Sequence, residues 1–280
     1  MDPAGRGSGG HGEQTLAGRR LLVVGASSGI GEAFSRAAAR RGARLLLGAR
    51  RADRLEALAG ELGALTRVAD VRREADCGAL VEAARTGLGG LDALLYATGI
   101  TPLLPLARTG AAGWQEVMET NTVGACLVAR AALDVLEPGG LVAFLSSDSV
   151  GRPRHGLVPY SASKAALDEA ILGFRREHPG HRFMRITVGP TIGTEIASSY
   201  DSQLAAELFG AWLAEGFMTE RMMDVAELGE LLADVVATVL AHPGISVSDL
   251  TVQPPGGRLS AANRSADDFV QGLPPNRGGS

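Results

Sequence analysis

Residues 20–41 constrain the fold of this chain more than any other stretch. A short apolar run at 20–25 leads directly into Gly25, Gly29 and Gly31, and a helical pattern continues to about residue 41. Such a run is typical of a strand buried on both faces. A strand, a glycine turn and a helix in this order are the setting in which N–H groups at a helix N-terminus bind a phosphate. The alternative, a tight turn without a ligand, is weakened by three glycines within seven residues.

The rest of the chain repeats strand and helix. Apolar runs predict further strands at 44–48, 65–68, 93–96, 141–145, 183–188 and 247–252, and helical patterns at 53–62, 74–85, 113–136, 160–174 and 225–240 separate them. Asp53 is predicted to cap the second helix. This alternation predicts the α/β class, with a single doubly wound parallel sheet, Rossmann-like, and helices on both faces. Ligands of such sheets bind at the carboxyl ends of the strands. The residues predicted there are Gly25, Ala49, Asp70, Gly99 and Ser147.

Composition limits the partners and the cellular setting. The net charge of -4 gives no electrostatic reason to expect nucleic acid or an acidic membrane as partner. No apolar run approaches the roughly eighteen residues of a membrane span. Cys77 and Cys126 lie far apart in predicted helices, so we interpret them as reduced thiols of a cytoplasmic protein. No cluster of residues suggests a metal site.

The predicted organisation is one catalytic domain with two loose ends. Residues 1–17 are Gly-rich and predicted to be a disordered arm, residues 18–253 form the domain, and residues 254–280 are predicted to be a flexible tail. Within the domain, residues 191–224 interrupt the alternation and form a substrate-side lobe. Its Met- and aromatic-rich part, 200–223, is either the wall or lid of a pocket for a bulky apolar substrate or an ordinary helix pair with a buried face.

Tyr160 and Lys164 are the clearest candidates for chemistry. Lys164 is the only lysine of the chain, against twenty-six arginines. Four residues apart on a predicted helix, the two side chains share one face. A cation beside a phenol lowers the phenol pKa and allows a tyrosine to act as general acid and base. Taken alone, Tyr-x-x-x-Lys is a weak motif, and a solvated lysine beside a half-buried tyrosine would be the better interpretation.

With these motifs in one order, the chain resembles the short-chain dehydrogenase/reductase family over roughly residues 18–253. The Gly25-x-x-x-Gly29-x-Gly31 loop is similar to the cofactor loop of that family, and Asp70-Val71 to its adenine-contacting position. Asn121, Ser147, Tyr160 and Lys164 match its catalytic tetrad, with Ser147 chosen over Ser146 and Ser149 by its spacing to Tyr160.

The resemblance implies a role for each member of the tetrad. Tyr160 would donate and accept the proton, and Ser147 would hold the substrate oxygen. Lys164 would bind the nicotinamide ribose and keep the tyrosine acidic. Asn121 would interrupt its helix and hold a water that leads to Lys164. The full set of expected cofactor-binding residues is Gly25, Ser27, Ser28, Gly29, Ile30, Gly31, Arg50, Arg51, Asp70, Val71, Ala97, Gly99, Tyr160, Lys164, Pro190, Ile192 and Thr194.

Three departures from the family pattern lie outside the tetrad. Val24 stands where a threonine is usual, and residues 96–99 (Tyr-Ala-Thr-Gly) replace the usual Asn-Asn-Ala-Gly. After the sixth strand, the segment that begins at Pro190 is one residue shorter than usual. This last departure leaves open the register of the nicotinamide contacts expected from Ile192 and Thr194.

The expected cofactor is NADP(H) rather than NAD(H). An NAD-selective site carries an acidic residue at the end of the second strand, where this chain has Ala49. Arg50 and Arg51 follow, and a guanidinium suits a 2′-phosphate. The resemblance favours Arg50 for this contact. The alternative is that both arginines are solvated loop charges.

The resemblance implies an oxidoreductase that acts on a small carbonyl/alcohol substrate, which would be apolar if segment 200–223 lines its pocket. A non-catalytic dinucleotide sensor is the main alternative, which the intact tetrad disfavours. Epimerisation or dehydration on the same fold is disfavoured by the chain length, since such relatives are generally longer. Apolar residues on more than one face of the helices carrying Asn121 and Tyr160 predict a homodimer or homotetramer, as in many relatives.

Overall fold

The computed structural model describes residues 15–195 and 200–258. Within that range the strands are β1 (Arg20–Val24), β2 (Arg44–Ala49), β3 (Leu65–Val68), β4 (Leu91–Tyr96), β5 (Leu136–Ser147), β6 (Arg182–Val188), β7 (Thr191–Ile192), β8 (Met223–Asp224) and β9 (Asp249–Val252). The helices are α1 (Gly29–Arg40), α2 (Ala52–Leu62), α3 (Glu74–Leu88), α4 (Ala111–Met118), α5 (Gly124–Ala132), α6 (Val158–Glu177), α7 (Ser202–Ala214) and α8 (Val225–Ala241).

The central sheet confirms the predicted fold class. It has seven strands in the order β3-β2-β1-β4-β5-β6-β9, and every neighbouring pair is parallel. The strand order reverses direction between β1 and β4, where the crossovers pass to opposite sides. This switch point opens a crevice at the carboxyl ends of the strands. The short β7 and β8 form a separate parallel pair at the same edge.

Two apolar layers cover the faces of the sheet. One layer contains residues of α1, α2 and α8, including Phe34 and Leu232. The other contains residues of α3, α5 and α6, including Leu80 and Leu167. Strands β1, β2, β4 and the second half of β5 are buried, because helices lie on both faces, and this explains their apolar sequences, whereas the edge strand β3 is exposed.

Several boundaries differ from the sequence-based prediction. The helix expected at 113–136 is α4, a five-residue π-helical segment (Glu119–Val123) and α5. Strand β5 begins at Leu136 rather than at residue 141. The prediction that Asp53 caps α2 is wrong, because the N-cap residue is Arg51 and Asp53 lies in the first turn.

The ends of the domain extend beyond the predicted limits. Leu16 is fully buried in the core, and its N–H donates to Arg41 O. At the other end, Arg258 forms a bridge with Thr219. The predicted arm and tail otherwise lie outside the described residues. None of the helices in 15–195 and 200–258 is long and apolar enough to cross a membrane.

Candidate active site

A cavity of about 1000 Å³ occupies the crevice at the carboxyl edge of the sheet. All of the predicted site residues line it except Gly31 and Asn121. The structure therefore brings together the glycine loop, the end of β2, the tetrad hydroxyls and the segment after β6. The two exceptions lie directly behind the lining, where they support it.

The glycine loop has room for a phosphate only because side chains are missing. Gly25 has a φ of +91°, which favours glycine. A Cβ on Gly31 would lie 2.3 Å from Gly25 O, and a Cβ on Gly25 would lie 2.7 Å from Thr98 N. The loop thus packs tightly against its own backbone at the N-terminus of α1, where N–H groups suit a pyrophosphate. The residues present fit a bound dinucleotide.

The two arginines after β2 differ in their hydrogen bonds to this loop. Arg51 donates to Ser28 Oγ at 2.6 Å and to Ser27 Oγ at 3.2 Å. Its Nη1 also pairs with Glu195 at 2.6 Å. The Arg50 side chain makes no hydrogen bond to any residue in the described ranges. Of the two guanidiniums, only that of Arg51 is therefore hydrogen-bonded to the glycine loop within the described ranges.

Asp70 lies at the expected place after β3, and its carboxylate already has a partner. Arg72 Nη2 pairs with Asp70 Oδ2 at 2.6 Å. The hydrogen bonds from Arg72 hold the pKa of the Asp70 carboxyl down at about 2. Asp70 is therefore charged at neutral pH, and it lines the cavity together with Val71.

Asn121 lies in the π-helical segment, which confirms the expected interruption of its helix. The side chain is fully buried. Its Oδ1 accepts from Ile100 N at 2.8 Å, and its Nδ2 donates to Ile100 O and to Ser163 Oγ, each at 2.9 Å. These bonds join the loop after β4 to α6. Tyr96 supports the same segment by donating to Thr120 O at 2.7 Å.

Lys164 is buried behind Tyr160, with only 4% of its surface exposed. Its Nζ donates to Leu145 O at 2.7 Å and lies 6.0 Å from the centre of the Tyr160 ring. Burial lowers the pKa of Lys164 to about 8, and the charge of Asp168 opposes this shift. The ammonium is therefore partly deprotonated slightly above neutral pH.

Tyr160 and Ser147 both line the cavity, and a hydrogen bond with Ser147 acts to lower the pKa of Tyr160. Burial nevertheless raises the pKa of Tyr160, and this outweighs the lowering by the Ser147 hydrogen bond. The expectation that the tyrosine of this chain is already acidified is therefore wrong for the protein by itself. The physical reason is that desolvation of the phenolate exceeds the stabilisation by its neighbours.

The buried ammonium makes a testable contribution to stability. Lys164 titrates near pH 8 in the folded chain, against 10.5 in an unfolded one. Between these values the unfolded chain holds more protons, so the free energy of unfolding rises with pH. We compare the parent with a Lys164→Met variant, which lacks this titration. Across this pH window, we expect the free energy of unfolding of the parent to rise by about 3 kcal/mol or less relative to that of the variant. Urea unfolding at several pH values measures the difference. A difference that does not change with pH would contradict it.

The segment after β6 forms the other side of the cavity. Pro190, Ile192 and Thr194 all line it. A Cβ on Gly29 would lie 3.7 Å from the Thr194 side chain, so this segment passes above the glycine loop. The shorter sequence after Pro190 thus still reaches the cofactor edge. β7 is held by pairing with β8, which fixes Ile192 opposite Asp224.

The Met- and aromatic-rich part of the lobe forms a wall of the cavity. Its lining side chains are Tyr200, Phe209, Trp212, Phe217, Met218 and Met222. α7 also buries Leu208 and Leu213 against its neighbours, so the helix contributes to a small core as well. Of the two alternatives left open by the sequence, the structure supports a pocket wall.

Comparison with known proteins agrees with this geometry. Residues 19–205 match the short chain dehydrogenase family. The chain belongs to the short-chain dehydrogenase/reductase family. Among the described residues of this short-chain dehydrogenase, no three His, Cys, Asp or Glu side chains lie together as metal ligands would.

Curated relatives match this short-chain dehydrogenase over different shares of their length. Glycine betaine reductase ATRR of Emericella nidulans is 34% identical over 197 residues, which are 67% of this chain but 16% of that protein. 11-beta-hydroxysteroid dehydrogenase A of Sesamum indicum is 32% identical over 66% of this chain and 53% of its own. An uncharacterized oxidoreductase of Listeria innocua is 28% identical over 86% of this chain and 98% of its own.

Solved structures have the same fold. A dehydrogenase/reductase from Sinorhizobium meliloti 1021 gives a TM-score of 0.73 at 27% identity, over 85% of this chain and 95% of its own. A short chain dehydrogenase from Burkholderia cenocepacia J2315 in complex with NADP gives a TM-score of 0.73 at 25% identity, over 85% of this chain and 97% of its own.

Several polar residues at the cavity of this short-chain dehydrogenase were not predicted from the sequence. They include Asp148, Arg154, Glu195 and Tyr200. Asp148 directly follows Ser147, and this position was the only available signal. The others come from loops whose paths depend on distant contacts, such as the hydrogen bond between the Tyr200 and Thr101 hydroxyls at 2.9 Å.

Proposed function

We propose that this chain is an NADP(H)-dependent oxidoreductase that interconverts a carbonyl and an alcohol, with Tyr160 as general acid and base. The observation that carries the proposal is the grouping of Tyr160, Ser147 and Lys164 on one wall of the cavity that also contains the glycine loop. The NADP complex of the Burkholderia relative supports the choice of cofactor class.

The residues of the chain have separable tasks in this reaction. Ser147 and Tyr160 place two hydroxyls at the substrate oxygen, where charge develops. For reduction, Tyr160 donates its proton to that oxygen, and for oxidation it accepts the proton. Lys164 provides a donor next to the tyrosine, positioned by Leu145 O and Gly99. A nicotinamide dinucleotide, held along the glycine loop, supplies or accepts the hydride when bound.

The substrate side favours a bulky apolar molecule. The wall formed by α7 and the segment up to Met222 is aromatic and thioether-rich, and such side chains adapt to large apolar surfaces. The carbonyl or hydroxyl group of the substrate would meet Ser147 and Tyr160, and its apolar body would lie against Phe209 and Trp212.

The test of the function is hydride transfer. A panel of bulky and small ketones and alcohols is offered with NADPH or NADP⁺, and the nicotinamide absorbance is followed. We expect turnover that Tyr160→Phe reduces by about 10²–10⁴-fold. Binding of the dinucleotide without turnover on any member of the panel would instead support the non-catalytic sensor.

Cofactor choice is tested by titration of the parent and three variants. We expect NADPH to bind more tightly than NADH, and Arg51→Ala to weaken NADPH alone by about ten- to a hundredfold, since a charge-assisted hydrogen bond is lost. Arg50→Ala is expected to have a smaller effect, because its side chain lies apart from Ser27 and Ser28. Arg54→Ala is the matched control, since Arg54 pairs with Glu195 without contacting the glycine loop. Equal binding of NADH and NADPH by the parent would overturn the choice of NADP(H).

We also propose a homodimer or homotetramer in the cytoplasm. The exposed apolar side chains Val123 and Leu172, on the helices that carry the tetrad, support the association of copies through this face.

A further inference from the structure

A charged pair lies in the cavity beside Tyr160 and has no task in the reaction described above. Arg154 Nη2 lies 2.7 Å from Asp148 Oδ2, and Arg154 Nη1 lies 3.1 Å from Asp148 Oδ1. The two side chains are only 12% and 21% exposed, and both line the cavity. Two parallel charge-assisted bonds at this burial hold both groups in one geometry.

The backbone holds both members of the pair close in sequence to the tetrad residues Ser147 and Tyr160. Asp148 directly follows Ser147, and its N–H donates to Val188 O at 3.1 Å. Arg154 lies one turn before α6, and its carbonyl accepts from Leu157 N at 3.0 Å. The loop at 148–157 thus fixes one anion and one cation relative to the hydroxyls of Ser147 and Tyr160.

Phe217 supports the cation from the opposite wall. The guanidinium carbon of Arg154 lies 5.7 Å from the centre of the Phe217 ring, and that of Arg152 lies 5.1 Å from it. Both are within the range of a cation–π contact. Arg154 is paired with Asp148 and lines the cavity, whereas Arg152 does neither among the described residues. Both arginines therefore pack against Phe217, but only Arg154 has a charged group in the cavity.

The pair acts on Tyr160 with opposite signs. The negative charge of Asp148 raises the pKa of Tyr160, and the positive charge of Arg154 lowers it. The other titratable groups near the phenol are Lys164 from α6, 6.0 Å from the ring centre, and Tyr200 from the segment before α7. Glu116 from α4 also lines the cavity, and it pairs with Arg72. A guanidinium is a permanent cation in proteins, whereas the Lys164 ammonium has its pKa lowered by burial to about 8.

We infer that the Arg154–Asp148 pair is a positioning element that balances the charge at Tyr160 and so sets the pH range in which the enzyme works. The inference rests on the proposed role of Tyr160 as acid and base. Arg154 supplies the permanent cation that lets a buried tyrosine lose its proton, and Asp148 holds that cation in place and limits its effect.

The pH profile of alcohol oxidation tests this inference. Oxidation needs the deprotonated tyrosine, so the rate rises with pH through the titration of Tyr160. Arg154→Gln is expected to move this rise to higher pH by about one unit, and Asp148→Asn to move it to lower pH. The double variant is expected to fall between the two, because each change cancels part of the other.

Two further variants separate charge from packing. Arg154→Lys keeps the cation and is expected to retain a profile close to that of the parent. Arg152→Gln removes the other guanidinium on Phe217 and is expected to leave the profile in place. If Arg154 only packs against Phe217, both glutamine variants will raise KM or lower kcat without moving the profile, and this outcome overturns the inference.

If the proposed function itself is wrong, the experiments give a different result. In that case the parent shows no hydride transfer, or Tyr160→Phe retains the parent rate. The inference about the pair fails on its own if the parent is active, Tyr160→Phe is inactive, and the pH profile is unmoved in both Arg154→Gln and Asp148→Asn. The proposed function is then still supported.

Discussion

The Lys164→Arg variant is expected to lose about 10²–10⁴-fold in kcat for hydride transfer while keeping its fold. The ammonium lies in a closed site, where Nζ bonds to Leu145 O at 2.7 Å. A Cβ built on Gly99 would lie 3.6 Å from Nζ, so the space between the Gly99 backbone and the ammonium holds little more than one methyl group. A planar guanidinium is too wide for this site and cannot place a single donor beside Tyr160.

The measurement is kcat and KM at the nicotinamide absorbance, combined with thermal unfolding. Arg176→Lys, the reverse exchange at an exposed position of the same helix, is the matched control and is expected to act like the parent. Lys164→Met removes the charge without adding width, and it is expected to be as inactive as Lys164→Arg. A Lys164→Arg enzyme within a few-fold of the parent would mean that the lone lysine has no special role.

The Gly31→Ala variant is expected to bind the dinucleotide about 10²-fold more weakly than the parent. The new Cβ would lie 2.3 Å from Gly25 O and 2.9 Å from Gly25 C, and both are backbone atoms. Since the chain cannot relieve this overlap by turning a side chain, α1 and the loop must move apart. The N–H groups at the helix N-terminus then no longer converge on the pyrophosphate. Overpacking of this kind also costs about 1–3 kcal/mol of stability.

Titration with NADPH and thermal unfolding measure the two effects. The control is Gly78→Ala, the same substitution in the exposed part of α3, where a Cβ would meet nothing within 4 Å. That variant is expected to bind NADPH normally and to be more stable than the parent by about 0.5–1 kcal/mol, because alanine favours a helix. Normal binding by Gly31→Ala would show that the close contact at Gly25 is not required.

The sequence alone predicted the elements whose signals are local. A buried parallel strand is apolar along most of its length, so β1, β2, β4 and the second half of β5 were visible as runs. The glycine loop was visible because a left-handed turn and a close backbone approach both require glycine. The spacing of Ser147, Tyr160 and Lys164, read together with the family resemblance, indicated the reaction class.

Other features depended on the tertiary structure. The direction of the Tyr160 pKa shift was predicted wrongly, because Tyr160-x-x-x-Lys164 shows the nearby cation but not the burial that outweighs it. The proposed choice of Arg51 over Arg50 rests on the contact of the Arg51 guanidinium with Ser27, twenty-four residues earlier in the chain. No local pattern carries that information.

The longest-range contacts were the least predictable. Glu195 meets Arg51 across 144 residues, and Phe217 meets Arg154 only because α7 returns to the cavity. Hydrophobic periodicity and turn residues report on neighbours within a few positions, and a parallel sheet gathers the ends of distant strands at one edge. The sequence thus determined the chemistry that the chain carries. The tertiary structure alone decided which charges face Tyr160, because burial and distance set the strength of each electrostatic interaction.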